Sequence, residues 1–230
     1  GLTVLDRHSG GRLNVEISGQ RIRGVKDILV EGPQVWIAHY RGVTLYQRGQ
    51  PRRDYNSLNG LPPGPALSLC RDREGRLWIG TQEGAAVMEG DTVRLFTPAD
   101  GLASPEVDVL FQDSSGALWF GSASPRRGGL SRLLNTKWTT YSLADGLAHD
   151  SITSIAQTTD GILWVGTGFG HVGGASRFDG TAWSSIGKSD GLAGAKVRSV
   201  FQDRDGRMWL GSEYDGITVL DGGRKTILTP

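Results

Sequence analysis

The chain has 230 residues, enough for a sizeable core, and its 25 Lys and Arg residues balance 24 Asp and Glu residues, for a formal net charge of +1. This balance gives no electrostatic reason to expect DNA, RNA or an anionic membrane as a partner, and no apolar run approaches the roughly 20 residues that span a bilayer. The single cysteine, Cys70, excludes an intrachain disulfide framework and a multi-cysteine metal site, and its apolar surroundings predict a buried side chain.

Three sequence features recur in register along the chain. Tryptophans are spaced by 42, 41, 45 and 45 residues, at Trp36, Trp78, Trp119, Trp164 and Trp209. A Gly-Leu pair stands 18 residues before each of the last four, at Gly60, Gly101, Gly146 and Gly191. A turn of the form Asp-x-x-Gly precedes most of the tryptophans, at Asp72–Gly75, Asp113–Gly116 and Asp203–Gly206, with Thr158–Gly161 as a variant. Such self-similarity at a period of about 40 residues is typical of repeat architectures.

In chain order, the repeat divides the sequence into one partial unit and five full units. Residues 1–18 align with the second half of a unit, because Gly1–Asp6 corresponds to Gly216–Asp221. The full units are predicted over residues 19–60, 61–101, 102–146, 147–191 and 192–230. We expect a single propeller region with an outer half-blade at its N-terminus, cut from a longer propeller.

Each unit contains four short segments rich in Val, Ile, Leu and Trp, separated by turns with Asp or Gly. No helical periodicity of useful length occurs. The predicted fold is all-β, with four-stranded antiparallel blades stacked around one axis, since a single blade of this size cannot bury both of its faces. We expect the five repeat tryptophans to be buried between neighbouring blades and the aspartates to accept hydrogen bonds within their own turns.

The segment Asp145–Thr167 resembles the repeat of the two-component regulator propeller family, in which a DGL motif, a variable stretch and an LWxGT motif follow one another. Asp190–Ser212 and Asp100–Ser122 match almost as well, whereas the unit around Trp36 departs most from the pattern. The resemblance covers roughly residues 19–230. It implies an extracytoplasmic sensor region of a bacterial signalling protein, periplasmic or extracellular, which binds an oligosaccharide or another small molecule and dimerises through the full-length protein.

Two adjacent units contain extra residues at the same place, between the tryptophan and the next turn glycine. This interval is four residues in the first two units and eight in the next two, from Gly121 to Gly129 and from Gly166 to Gly174. We predict that the two insertions lie on one face and form a ligand site, because loops on a rigid scaffold commonly carry binding residues. Arginines suit an anionic group and aromatic rings suit the apolar face of a sugar. The candidate residues are Arg126, Arg127, Phe169, His171, Tyr40, Arg41 and Tyr214.

Three function classes remain open on the sequence. A sensor or ligand-binding module is favoured, a protein-interaction scaffold is the alternative, and a lyase or glycoside-processing propeller is the third. No catalytic motif of the common hydrolase, zinc-protease or nucleotide-binding types occurs, so we predict no catalytic residue, no metal site and no cofactor. The expected partner is a small molecule, an oligosaccharide or a protein, with no nucleic acid and no membrane contact by this segment.

Overall fold

The computed structural model describes residues 23–47, 49–90 and 92–229, together with the backbone of residues 2–5, 12–17 and 20–21. Five four-stranded antiparallel sheets follow one another, each with its strands in chain order, and a three-stranded sheet precedes them. The strands are β1 (Leu2–Leu5), β2 (Arg12–Ile17), β3 (Gln20–Arg21), β4 (Asp27–Glu31), β5 (Gln34–His39), β6 (Gly42–Gln47), β7 (Arg53–Tyr55), β8 (Ala66–Arg71), β9 (Leu77–Thr81), β10 (Ala85–Glu89), β11 (Thr92–Phe96), β12 (Val109–Gln112), β13 (Leu118–Ser122), β14 (Gly129–Leu134), β15 (Lys137–Tyr141), β16 (Ile152–Gln157), β17 (Leu163–Phe169), β18 (Val172–Phe178), β19 (Trp183–Ile186), β20 (Val197–Gln202), β21 (Met208–Ser212), β22 (Ile217–Asp221) and β23 (Arg224–Leu228).

The five complete sheets are blades 1 to 5, starting at β4, β8, β12, β16 and β20. The predicted all-β propeller fold with five full blades is therefore confirmed. In the N-terminal sheet, β1 and β2 lie in the region predicted as a half-blade, and β3 adds a two-residue pairing beyond it. The helical elements of the described residues are three short 3₁₀ turns, Ser57–Asn59, Leu143–Asp145 and Lys188–Asp190. Within these residues, no helix is long and apolar enough to cross a membrane.

The first strands of consecutive blades contact one another, which places them innermost, and the fourth strands form the outer rim. Since each blade is a simple meander, its two hairpin turns, from strand one to two and from strand three to four, lie at one edge, here called the turn edge. The connection from strand two to three and the link to the next blade lie at the opposite edge, here called the loop edge.

Hydrophobic clusters join each blade to the next. The face of blade 3 that carries Trp119 packs against Leu163 and Val165 of blade 4, and the other blade pairs repeat this arrangement. Trp36, Trp78 and Trp119 are buried as predicted. Trp164 and Trp209 are only half-buried. Trp164 has smaller neighbours than the others, and Trp209 lies in the last blade, where no sheet in the described part of the chain covers it.

The aspartate turns accept one hydrogen bond that the sequence did not predict, in addition to the expected bonds within the turn. Asp113 accepts the backbone N–H groups of Ser115 and Ala117, as expected, at 2.9 and 3.0 Å, while Gly116 adopts a left-handed conformation. The same carboxylate also accepts the indole N–H of Trp119 at 2.7 Å. The corresponding bonds to Trp78 and Trp209 come from the turns of blades 2 and 5. Each of these turns therefore orients the repeat tryptophan of its own blade.

The DGL motif has a comparable local explanation. Asp145 accepts the backbone N–H of Ser142 at 2.8 Å and so caps the 3₁₀ turn, and Gly146 ends this turn in a left-handed conformation. Leu147 is then buried between blades 3 and 4. The leucine of this motif is buried at every full copy, at Leu61, Leu102, Leu147 and Leu192.

The residue after this leucine is coupled to a residue on the third strand of its own blade. In blades 3 to 5 an alanine N–H donates to a hydroxyl, from Ala103 to Ser131, Ala148 to Ser176 and Ala193 to Thr218, at 2.7–2.9 Å. In blade 2 the two positions hold Pro62, which has no N–H, and Ala86, which has no acceptor. The donor and the acceptor are thus present together or absent together.

A glutamine at the end of the first strand links neighbouring blades at the turn edge. The Gln157 side chain accepts the backbone N–H of Ser114 in blade 3 and donates to the carbonyl of Gly161 in its own turn. Gln112 and Gln202 make the same two bonds. Between blades 1 and 2, Arg71 takes this place and binds both carboxylate oxygens of Glu31, at 2.9 and 2.6 Å. Cys70, beside Arg71, is half-buried rather than buried, and burial raises the pKa of its thiol to about 11, which keeps it protonated.

Candidate functional site

The two inserted connections lie next to each other on the loop edge, but they differ in structure. In blade 3 the insertion is a loop over residues 123–128, with Arg126 and Arg127 in a turn and both side chains exposed. In blade 4 the insertion lengthens the strands, so that β17 and β18 pair as far as Phe169 and Val172. Only Gly170 and His171 remain at the tip, and His171 is exposed.

One segment fastens both insertions. The hydroxyl of Ser151, in the link between blades 3 and 4, donates to the carbonyl of Ala123 at 2.8 Å. The backbone carbonyl of Ser151 accepts the N–H of Gly168 in the blade 4 hairpin at 2.9 Å. Asp108 accepts the N–H of Ala123 at 2.7 Å, and burial raises the pKa of this carboxyl group. The bases of the loop and the hairpin are therefore held at fixed positions beside each other.

The hairpin of blade 4 also packs closely against the link to blade 5. A Cβ atom on Gly168 would lie 3.0 Å from the Cα of Lys196, and one on Gly173 would lie 3.0 Å from the carbonyl of Ala195. The glycines allow this close approach. As a result the Lys196 ammonium lies 5.8 Å from the centre of the Phe169 ring, half of whose side chain remains exposed.

Lys196 connects Phe169 to the loop of blade 5. Its ammonium forms an ion pair with Glu213 at 2.5 Å, and the other carboxylate oxygen of Glu213 accepts the hydroxyl of Tyr214 at 3.1 Å. The hydrogen bond from Lys196 holds the pKa of Glu213 below its usual value. The structure thus brings two predicted residues, Phe169 and Tyr214, into one cluster through Lys196 and Glu213. Tyr214 is 70% exposed.

Lys196 and Glu213 were not among the predicted site residues. Their opposite charges stand 17 positions apart in the sequence, one before an inner strand and one after the glycine that follows a tryptophan. Blade links and strand-two connections share the loop edge, but the sequence does not show which of the residues at that edge contact one another.

Tyr40 and Arg41 lie on the loop edge of blade 1, in the connection after β5, apart from this cluster. The Tyr40 ring packs on the backbone of Gly24, with the Lys26 ammonium 4.9 Å from its centre. Arg41 donates its backbone N–H to Nδ1 of His39 at 3.1 Å. In the described residues no contact joins Tyr40 or Arg41 to Arg126, Phe169 or Tyr214.

The histidines have no catalytic arrangement in the described part of the chain. The His39 ring is buried: Nδ1 accepts a backbone N–H, and Nε2 donates to Thr44, whose own hydroxyl donates to Asp54 at 2.6 Å. Burial lowers the pKa of His39 and so favours this neutral form. His149 accepts the backbone N–H of Ser151 through Nδ1. None of these rings bonds to a carboxylate.

Three segments of the sequence match the family described as the two component regulator propeller, residues 60–83, 146–169 and 191–214. Three units of this chain therefore match the two-component regulator propeller repeat. The matched segments run from the Gly-Leu pair through the tryptophan to the loop edge of blades 2, 4 and 5, and they confirm the resemblance on which the prediction of the family rested. A search of curated proteins finds no significant match.

Solved structures share the fold at low sequence identity. The extracellular domain of BT3049 from B. thetaiotaomicron, named as a hybrid two component system, has a TM-score of 0.70 at 20% identity and is matched over 100% of this chain and 29% of that one. The extracellular domain of BT4673 from the same organism, named as a one component system, has a TM-score of 0.71 at 20% identity. It is matched over 89% of this chain and 28% of that one. Virginiamycin B lyase from Staphylococcus aureus has a TM-score of 0.72 at 16% identity and is matched over 94% of this chain and 73% of that one. The chain spans less than a third of the two extracellular domains, and all three likenesses concern the fold.

Proposed function

We propose that this chain is part of the extracytoplasmic sensor propeller of a bacterial signalling protein and that it binds a small ligand without transforming it. The repeat family supports a signalling role, and the likeness to extracellular domains supports the location. The lyase that shares the fold is matched on fold alone, and the described histidines of this chain are bonded to backbone or hydroxyl groups or exposed.

The observation that carries the proposal is the pair of insertions in blades 3 and 4, fastened to the common residue Ser151. Rigid anchoring reduces the conformational entropy that a loop loses on binding, so such loops are suited to recognition. Arg126 and Arg127 supply guanidinium groups for a carboxylate or sulfate, and Phe169, Tyr214 and His171 supply aromatic surface. The proposed ligand is a small acidic molecule such as an acidic sugar.

Binding of sulfated and uronate-containing disaccharides, measured by calorimetry, tests the proposal. Replacing Arg126 and Arg127 together by alanine should reduce affinity at least about tenfold, the loss of one charge-assisted contact, and leave the melting temperature nearly unchanged, because both side chains are exposed. The matched control replaces Arg73 and Arg204, two exposed arginines of the turn edge, and should bind like the wild type. Full affinity in the Arg126/Arg127 variant would remove these residues from the site.

A protein-interaction scaffold is the second candidate, and the tip of the blade 4 hairpin favours it. Phe169 and Val172 are a cross-strand pair with more than half of each side chain exposed. Exposed apolar residues on a rigid projection are typical of protein contacts. In that case Phe169→Ala would weaken partner binding and the arginine pair would be dispensable, whereas an acidic ligand would require the arginine pair.

A further inference from the structure

An arginine lies over the repeat tryptophan in four of the five blades. In each pair the guanidinium carbon is 5.3–5.9 Å from the centre of the indole ring, with Arg71 over Trp36, Arg76 over Trp78, Arg132 over Trp119 and Arg207 over Trp209. Stacking on the ring leaves the N–H groups at the edge of the guanidinium plane available to hydrogen-bond acceptors. The four arginines can therefore be compared by the acceptors that they find.

Three of these arginines form ion pairs with acids, at 2.6–3.6 Å. The pairs are Arg71 with Glu31, Arg76 with Asp72, Glu74 and Glu89, and Arg207 with Asp203 and Asp205. Arg132 forms no ion pair with any acid of the described residues, and its Nε atom is buried without a hydrogen-bond partner among them. No carboxylate in this part of the chain therefore offsets the charge of Arg132 in the way that Glu31 offsets that of Arg71.

Blade 3 lacks two acids that the other blades with an Asp-x-x-Gly or Thr-x-x-Gly turn contain. The third residue of this turn is Glu74, Asp160 or Asp205 in blades 2, 4 and 5, and it is Ser115 in blade 3. The residue at or directly after the end of the third strand is Glu89, Asp179 or Asp221 in the same three blades, and it is Leu134 in blade 3. Both acidic positions are thus uncharged in blade 3 alone among these four blades.

Blade 4 has an arginine at the same strand position as Arg132, and there the acids are present. Arg177 pairs with Trp164 as Arg132 pairs with Trp119. Hydrogen bonds within their own turns, together with the charge of Arg177, lower the pKa values of Asp160 and Asp179. The two acids therefore face a cation in blade 4, whereas the equivalent cation of blade 3 has lost both.

A groove of about 450 Å³ at the turn edge of blade 3 adjoins this arginine, and its volume is usual for a small-molecule site. Its lining consists of Arg132, Leu134, Asn135, Lys137 and Thr139. The strand register places four of these side chains on one face, since Arg132 pairs with Thr139 and Leu134 pairs with Lys137. Lys137 adds a second positive charge, and no ion pair to it is found in the described part of the chain.

Every polar group of this lining can donate a hydrogen bond. The guanidinium offers a planar fork of N–H groups, the ammonium of Lys137 is a compact charge, and the Thr139 hydroxyl and the Asn135 amide supply neutral donors. No carboxylate lines the groove. A ligand that accepts several hydrogen bonds and carries two negative charges matches these donors, which describes a phosphate dianion.

We propose that this groove binds the doubly charged phosphate group of inorganic phosphate or of a small organic phosphate, at a site separate from the loop edge. Two phosphate oxygens accept from the terminal N–H groups of Arg132, and a third pairs with the ammonium of Lys137. The indole of Trp119 supports the guanidinium plane, so less conformational freedom is lost on binding. In an ester, the organic group packs on Leu134.

Nitrogen-15 NMR of the arginine Nε–H groups of the whole chain tests this site, because the Arg132 signal can be assigned by its loss in Arg132→Lys. Inorganic phosphate and phenyl phosphate are titrated at constant ionic strength to about 10 mM, about tenfold above a weak dissociation constant of 1 mM. We expect a saturable shift of the Arg132 signal. Phenyl sulfate, which has the same shape and one charge fewer, should bind at least about fivefold more weakly.

The two phosphate probes separate the possible sources of the ligand. Tighter binding of phenyl phosphate identifies an organic phosphate, because the ester group then contributes contacts. Equal or tighter binding of inorganic phosphate identifies the free ion. Either result supports the phosphate site.

Leu134→Glu introduces the acid that blade 2 has at this position and should weaken phosphate binding at least about tenfold, since the new carboxylate competes for Arg132. The matched variant Leu134→Gln, with the same shape and no charge, should bind like the wild type. Arg126→Ala with Arg127→Ala should also retain the full shift, so this site and the loop-edge site fail independently.

Lys137→Ala provides a second test that does not depend on the folding of Leu134→Glu, because the Lys137 side chain is exposed. It should weaken phosphate binding about fivefold and leave the melting temperature unchanged. The matched control is Arg224→Ala, an exposed cation at the same strand position of blade 5, where it pairs with Asp221. That variant should bind phosphate like the wild type.

The proposal is overturned if neither phosphate probe produces a saturable shift of the Arg132 signal, or if phenyl sulfate binds as tightly as phenyl phosphate. Wild-type affinity in Lys137→Ala, or in folded Leu134→Glu, would also contradict it.

Discussion

The contact between blades 3 and 4 and the contact between blades 4 and 5 have the same strand arrangement but different side chains. In the first, Trp119 is 1% exposed and lies among the rings of Tyr141, Phe178 and Trp183, at 5.8–6.1 Å. In the second, Trp164 is half-buried and belongs to a cluster with no other aromatic ring, in which Ile186 and Leu220 take part. The tryptophan position is thus constant while the packing around it varies.

The polar contacts differ in the same direction. Asp113 accepts the indole N–H of Trp119, whereas the turn of blade 4 has Thr158 at that position. The Thr158 hydroxyl is occupied within its own turn, by Asp160 and the carbonyl of Ile162. The repeat therefore determines the backbone arrangement of each interface, while the side chains at that interface determine how much it contributes to stability. We expect the contact between blades 3 and 4 to contribute more to the free energy of unfolding.

The largest expected effect is that of Trp119→Ala. The change removes a buried indole from a cluster of four aromatic rings and should lower the free energy of unfolding by roughly 3–5 kcal/mol. Urea denaturation followed by circular dichroism measures the loss. A loss below about 1 kcal/mol would mean that this tryptophan does not hold the two blades together.

Asp113→Ala should cost somewhat less, about 2–3 kcal/mol, because it leaves the buried N–H groups of Trp119 and Ala117 without an acceptor. The matched control is Asp160→Ala, in the turn of blade 4, where the carboxylate is exposed and bonds only within its own turn. The free energy of unfolding of that variant should lie within about 0.5 kcal/mol of the wild-type value. Equal losses in the two variants would contradict the role assigned to the indole bond.

Trp164→Ala tests the difference between the two interfaces most directly. Because Trp164 is half-buried and its neighbours are aliphatic, its removal should cost about 2 kcal/mol, clearly less than the removal of Trp119. The two variants are to be measured side by side in the same denaturation assay. If Trp164→Ala is as destabilising as Trp119→Ala, the aromatic filling is not what distinguishes the interfaces.

The smallest expected effect concerns the glutamine bonds, which both interfaces share. Gln157→Ala and Gln202→Ala each remove two exposed hydrogen bonds, and each should cost about 1 kcal/mol. Similar losses would locate the difference between the interfaces in their packing. A much larger loss for Gln157→Ala would instead assign the difference between the interfaces to the hydrogen bonds of Gln157.

The sequence predicted the parts of the fold that depend on local chemistry. Evenly spaced tryptophans, Asp-x-x-Gly turns and short apolar segments were sufficient for the number and type of the blades. The equal insertions in blades 3 and 4 were not sufficient to predict their structures. Pro125 lacks an N–H and interrupts strand pairing in blade 3, whereas the blade 4 segment contains no proline and continues both strands to Phe169 and Val172.

The site was harder to predict than the fold, because its contacts join residues from different blades. Spacing alone identified Phe169 and Tyr214 as candidates, but the contact of Lys196 with Phe169 depends on how closely the hairpin of blade 4 packs against the next link.

The glutamine links also bear on how such a chain could grow by duplication. In each of these links one partner is a backbone N–H, of Arg73, Ser114 or Thr159, which any residue except proline would supply. A copied unit that carries its own glutamine can therefore follow almost any other unit without a compensating change. The first link is different, since Glu31 and Arg71 recognise each other through their side chains. Blades 1 and 2 thus form a pair that would have to be copied or exchanged together.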